Sequence, residues 1–221
     1  MNRRPLLAAG AAIIGVMLLA SAWAWIQLPA DSQVPIHFDA SGQADGFASK
    51  GWGLLLTPLI GIALLSLLYF IPLAEPRSAN LARSASAYNA VCIAVMSLLG
   101  VVQLLTVASA LGWPINAASA IFALVGVLFM LIGLALPRVH SNFIFGIRTP
   151  WTLTSERSWA VTHLVGGWVF VIAGAILAVA AFTIPGSSIA WVLIAVITAV
   201  AVIPIVVSYL AWRTDPFRSH S

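Results

Sequence analysis

Residues 113–182 read WPINAASAIFALVGVLFMLIGLAL, then PRVHSNFIFGIRTPWTLTSERSW, then AVTHLVGGWVFVIAGAILAVAAF. The outer two blocks are each long enough, and apolar enough, to cross a bilayer, which takes about 20 such residues. The middle block gathers arginine, glutamate, histidine, tryptophan and proline in a chain that is otherwise almost all aliphatic. Two spans around one polar insert set the pattern for the whole molecule.

Working outward, four more runs of the same kind appear: Leu6 to Gln27, Trp52 to Leu73, Ala87 to Ala110 and Ser188 to Trp212. Hydrophobic residues make up 62% of the chain and charged residues 7%, with mean hydropathy +1.05. Soluble domains carry roughly a quarter charged residues, so the composition excludes a water-soluble globule. The predicted class is all-α: a polytopic integral membrane protein built as a bundle of six transmembrane helices. The start, with two arginines, an apolar run and Ser21-Ala22-Trp23-Ala24, has the outline of a signal peptide. Its apolar run continues past the small residues, and it is read as a retained first span.

Charge placement gives the expected orientation. With six spans the loops alternate sides, and one side receives Arg3, Arg4, Arg77, Arg83, Arg138, Arg148, Arg157, Arg213 and Arg218. The other receives only Lys50. Basic residues in short loops resist translocation, so both termini are expected in the cytoplasm of a bacterial cell, in its inner or plasma membrane. The arginines are scattered and form no basic face, so no direct nucleic-acid binding is expected despite the formal net charge of +4. The single cysteine, Cys92, lies within a span and excludes an intramolecular disulfide.

The longest loop on the expected outer face, residues 28–51, contains Val34-Pro35-Ile36-His37-Phe38 followed by Ser41-Gly42 and Asp45-Gly46. Proline restricts the residue before it to extended geometry, and both dipeptides are turn signals. An extended segment and two tight turns are predicted, a compact loop that packs on helix ends. His37, Asp39 and Asp45 are ligand types for a metal, but their spacing fits no metal motif, and none is expected to be bound. Elsewhere, Glu75, Arg77 and Arg83 read as solvated anchors, and Gln103 and Asn116 as helix–helix hydrogen-bonding groups. Pro114 is placed in the first turn of the fourth span, Pro204 is expected to kink the sixth, and Ile184-Pro185-Gly186 is read as an outer turn. No span has a charged side chain away from its ends, which weighs against an ion-coupled pump.

In the polar insert, Gly146 admits a left-handed backbone and Thr154 reads as an N-cap with Glu156 in the first turn of the fifth span. Arg148 is expected to be partly desolvated, with Glu156, Trp151 or Trp159 as partners. His163 reads either as a hydrogen-bonded histidine or as a functional, pH-sensitive group. Gly166 and Gly167 remove side chains so that a backbone or an inserted loop can approach. No catalytic constellation is present, and Ser155 lies too far from His163 along a helix to pair with it, so the chain is not expected to be an enzyme.

Asn142-x2-Phe145-Gly-Ile-Arg-Thr-Pro-Trp-Thr-Leu-x-Ser155-Glu-x3-Trp159-x3-His163-x2-Gly166-Gly167 resembles the signature of the SdpI family of bacterial membrane immunity proteins. Pro35-Ile36-His37-Phe38-x3-Gly42-x2-Asp45-Gly46-x2-Ser49-Lys50 is similar to the DUF1648 module found upstream in such proteins. The resemblance implies a DUF1648-like region over 1–86 and an SdpI-like region over 87–221. It further implies immunity to a secreted antimicrobial peptide toxin and, in one branch, signal transduction by sequestering a cytoplasmic helix-turn-helix autorepressor at the membrane. His37, Asp39 and Asp45 would face the toxin. Asn142, Arg148, Trp151, Glu156, Trp159, His163, Gly166 and Gly167 would serve the intracellular side. The partners implied are thus the lipid bilayer, a peptide toxin and a repressor, with no cofactor. The rival reading is a small transporter or flippase gated by the loop between spans four and five.

Overall fold

The computed structural model describes residues 1–39, 41–184, 186 and 188–217. The readings placed on Pro185 and on Arg218 and the tail beyond it lie outside the described residues. Six long helices form the protein: α1 (Arg4–Gln27), α2 (Lys50–Phe70), α4 (Ala85–Ala110), α5 (Ala117–Ala135), α7 (Glu156–Thr183) and α8 (Ser188–Arg213). Two short helices, α3 (Ser78–Arg83) and α6 (Pro150–Thr154), and a hairpin of β1 (Gln33–Phe38) and β2 (Ala44–Ser49) complete it. All six long helices are apolar enough to cross a membrane. Their outward surfaces carry Leu19, Trp168 and Val179, each more than half exposed, as a lipid-facing surface requires.

Helices α1, α2 and α4 pack on one another, and α5, α7 and α8 form a second group joined to the first mainly through α4 and α5. Each half of the sequence is a span, a polar loop and two spans, the outline of inverted repeats. The halves are not packed alike, however: α1 lies along α4, whereas α5 makes no comparable contact with α8. Helix α7 is the most enclosed span and α8 the least.

Pro58 shapes the first group. Lying inside α2, it has no N–H to give the Leu54 carbonyl one turn earlier. An unpaired carbonyl in hydrocarbon costs several kcal/mol, and two neighbouring helices supply the missing donors. Ser21 Oγ of α1 donates to Leu54 O at 2.8 Å and Gln103 Nε2 of α4 at 3.1 Å, while Gln103 also donates to Ser21 Oγ at 2.8 Å. Gln103 is fully buried, and its interhelical role is the one expected from an isolated polar residue in a span.

Glycine shapes the second group. A Cβ on Gly126 would lie 2.6 Å from the carbonyl oxygen of Gly174, and one on Gly133 would lie 2.5 Å from that of Gly167. Both pairs repeat after seven residues, the spacing that keeps one seam in register along two helices. Backbone therefore meets backbone along α5 and α7.

Several expectations are corrected. Asp45-Gly46 does not form a second turn. It falls inside β2, where the pairing with β1 shifts register on both sides of His37, so each strand absorbs one extra residue as a bulge. Asn116 is not an interhelical tie but the N-cap of α5, accepting Ser119 N–H at 3.0 Å, and α5 begins after Pro114. Pro204 lies inside α8, the sixth span, as expected.

Candidate functional site

The polar insert lies at the end of the bundle that also carries the start of α1 and the end of α8, between the 3₁₀ turn Leu136–Arg138 and α7. Asn142 is its hub. The side chain is completely buried. Its Nδ2 donates to the carbonyls of His140 (2.8 Å) and Phe145 (3.0 Å), and its Oδ1 accepts from the N–H groups of Ile144 (2.9 Å) and Phe145 (2.7 Å). Only an amide offers two donors and an acceptor with two lone pairs, so asparagine folds the loop around itself.

From that hub the chain passes Gly146, whose φ of 115° is open to glycine alone in practice. A Cβ there would also stand 2.5 Å from His163 Nε2. Ile147 then donates its N–H to His163 Nε2 at 3.0 Å, while His163 Nδ1 pairs with the Trp159 carbonyl at 2.8 Å. A carbonyl accepts only from N–H, so Nδ1 holds the proton and Nε2 the lone pair: the bonding defines a neutral imidazole. The ring is 1% exposed and stacks on Trp159 at 4.1 Å between centroids. Trp159 Nε1 donates to Val139 O at 2.7 Å, fastening α7 to the start of the loop.

The glycine notch works as its position suggested. Gly166 faces the side chain of inserted Ile147, whose Cδ1 would lie 2.5 Å from an added Cβ, and Gly167 faces the Gly133 backbone. Thr149 caps α6 through a capping box with Thr152 and donates to Ser208 Oγ at 3.0 Å. Trp151 packs edge-on against Tyr209 of α8 at 5.2 Å. The cap of α7 is Ser155, not Thr154: its Oγ accepts Ser158 N–H at 2.9 Å and donates to the Asp215 carboxylate. Glu156 is exposed in the first turn of α7. Arg148 is exposed too and donates to the Phe143 carbonyl, so the expected pairing with Glu156, Trp151 or Trp159 is replaced by a local bond that braces the loop.

The residues that sequence reasoning missed come from the segment between α2 and α4. Glu75 and Arg77 are not solvated anchors. Glu75 is 5% exposed. Its Oε2 accepts Phe143 N–H at 3.0 Å and its Oε1 accepts Arg77 N–H at 2.8 Å. Arg77 donates to Ser141 Oγ and to Leu153 O and lies over the Phe143 ring at 4.6 Å. Asn80 Nδ2 reaches Ser141 O at 2.9 Å, and Ser84 Oγ accepts His140 N–H at 2.8 Å. The insert is thus gripped from one side by residues 75–84 and from the other by α8 and Asp215. A polar cavity of about 440 Å³ beside it is lined by Arg77, Ser155, Glu156, Arg157, Asp215 and Phe217.

His37, Asp39 and Asp45 lie at the opposite end of the bundle. His37 Nδ1 and Asp45 Oδ1 are 2.5 Å apart, and both side chains are half-exposed or more. Asp39 is spent on the turn: its Oδ1 accepts from Ser41 Oγ, Ser41 N–H and Gln43 N–H. The Ser41 hydroxyl first, then the Gln43 amide, hold its carboxyl below the ordinary value of 3.8. The three side chains do not converge, and among the described residues no trio of metal-ligating side chains does so. Lys50 donates to Leu28 O at 2.6 Å and lies over the Trp25 ring, locking the hairpin's exit to the end of α1.

Ser155 is bonded to a carboxylate and not to His163, whose two ring nitrogens are both engaged in fastening the loop.

Residues 138–208 match the model of the SdpI/YfhL protein family, and residues 12–62 match a domain of unknown function, DUF1648. Immunity protein SdpI of Bacillus subtilis (strain 168) is 27% identical over 177 residues, covering 80% of this chain and 82% of that protein. No solved structure matches.

Proposed function

We propose that this chain, which belongs to the SdpI/YfhL protein family of the bacterial cell membrane, is an immunity protein that protects its host from a secreted antimicrobial peptide. The observation that carries the reading is the similarity to Immunity protein SdpI over 80% of the chain, which spans both matched regions. The DUF1648-like region is taken as 1–86 and the SdpI-like region as 87–221.

In this reading the hairpin end faces outward and the insert faces the cytoplasm. The eight described arginines all stand at the insert's end of the spans, and Lys50 stands at the other. The hairpin end, with His37, Asp39 and Asp45, meets the peptide. The insert, with the adjoining cavity and the exposed Arg148, Glu156 and Phe217, meets an intracellular partner, a helix-turn-helix repressor in the signalling form of the proposal. Asn142, Trp159, His163 and the two glycines hold that surface in shape, and Trp151 ties it to α8.

The test is survival. A peptide-sensitive bacterium expressing the chain should tolerate a panel of secreted antimicrobial peptides better than the empty strain, for at least one peptide. Arg148→Ala and His163→Ala should remove that tolerance while the protein stays in the membrane at normal level. Tolerance equal to the empty strain for every peptide would remove the immunity reading. Solute flux through the protein in liposomes would establish the transporter instead.

A further inference from the structure

A cavity of about 820 Å³ lies at the hairpin end, away from the insert. Its wall runs from Ser41 at the hairpin tip past Leu105 of α4, Ser119 and Phe122 of α5, and Phe182 and Thr183 of α7. It therefore joins both packing groups. Leu105 sits five residues before the end of α4, about 7 Å along the helix from that end, so the cavity is an open-sided well with the exposed Phe182 and Thr183 at its edge. The tip of the hairpin is held over it by close contact: a Cβ on Gly42 would meet Asn116 and Ala118 at 3.2 Å.

We infer that this well is a binding site for an uncharged, largely apolar peptide segment, and that it is where the secreted peptide is held; the second half of the statement rests on the proposed immunity function. The chemistry of the lining selects the guest. No ionisable side chain lines the well among the described residues, so a charged group entering it would lose water and find no partner. Leu105, Phe122 and Phe182 supply apolar contact. Asn116 uses its Oδ1 on the α5 cap, which leaves its Nδ2 and the Ser119 hydroxyl to bond a guest backbone. The size falls in the range of pockets that enclose small ligands, with apolar walls and a few polar groups. The exposed His37–Asp45 pair is not part of the lining.

The experiment uses the full chain in lipid nanodiscs, in a Cys92→Ala background, with an environment-sensitive fluorophore on Thr183→Cys. The probe is the capped peptide acetyl-Leu-Ala-Phe-Ala-Leu-amide, compared with the same peptide carrying lysine at its centre. The apolar probe should give a saturable emission change, with half-saturation at least tenfold lower than the lysine version. Ser119→Trp, which fills the well, and Ser41→Trp, which closes its rim, should each weaken binding at least tenfold. An identical response in both tryptophan variants would mean simple partition into lipid and would overturn the inference. So would quenching of the label by brominated phospholipid that the probe does not relieve, which makes lipid the occupant. Protection in the survival assay without saturable binding sinks the well alone, whereas binding without protection sinks the immunity reading and leaves the well standing.

Discussion

Asn142→Ala should open the polar insert. The alanine leaves two carbonyls and two N–H groups without their partner. A buried polar group left unpaired costs about 1–3 kcal/mol. The space vacated can admit water to part of the set, so counting two groups as unrecovered, each in the lower half of that range, gives about 2–4 kcal/mol. With a tenfold change for each ~1.4 kcal/mol, the open population of the loop rises about 30- to 700-fold. Trypsin reads that population when reclosing is fast, because cleavage after Arg148 requires the loop to leave its clamp. Limited proteolysis of the protein in nanodiscs should therefore cut Asn142→Ala after Arg148 faster by that factor. Asn142→Asp retains the acceptors but turns an oxygen towards two carbonyls, so it should open the loop at least as far. Cleavage of the alanine variant within threefold of the parent would refute the view that this one amide organises the insert.

Glu75→Gln should release Phe143 less than Glu75→Ala does, because the amide can still accept one of the two N–H bonds; hydrogen exchange at the Phe143 amide orders the three proteins. Gln103→Leu should cost about 1 kcal/mol or more in unfolding from mixed micelles, and less in a Pro58→Ala background, where the Leu54 carbonyl regains a helical donor. Gly133→Ala should sharply lower the yield of folded protein, since the new Cβ has backbone 2.5 Å away, while Gly15→Ala, with nothing within 4 Å, should be neutral or slightly stabilising. The depressed Asp39 carboxyl stabilises the hairpin turn above the unfolded value near 3.8, and that contribution is lost only as pH falls through the lower folded value. Exchange at the Gln43 amide should therefore be flat from pH 7 to pH 4, once corrected for its intrinsic pH dependence, and rise below that.

The bilayer made much of this fold legible. Six apolar runs could only be helices, and the glycine notch at 166–167 announced a close approach because nothing else explains two adjacent glycines in a span. The polar insert stood out against the same background. Its clamp did not. Glu75, Arg77, Asn80 and Ser84 lie more than 50 residues away from the groups they hold, and charged side chains at a helix end look alike whether water or a loop receives them. Arg148 departs from its expected partners for the converse reason: its neighbours are aromatic and acidic, but the backbone turns it outward to a carbonyl five residues back. Ser155 and Thr154 are both cap-forming types, and the chain's path to Asp215 favours Ser155.

The glycine seam has a mechanical consequence. Helices α5 and α7 are the two stems between which the insert hangs, and backbone contact at Gly133–Gly167 and Gly126–Gly174 leaves them no slack to slide or spread. A displacement that starts at the hairpin end would not reshape the insert by pulling its stems apart, as a hinge would. It has to press from the flank, through the α2–α4 segment that carries Glu75 and Arg77 or through α8 with Ser208 and Asp215. The stems behave as a splint, and whatever moves in this protein moves around them.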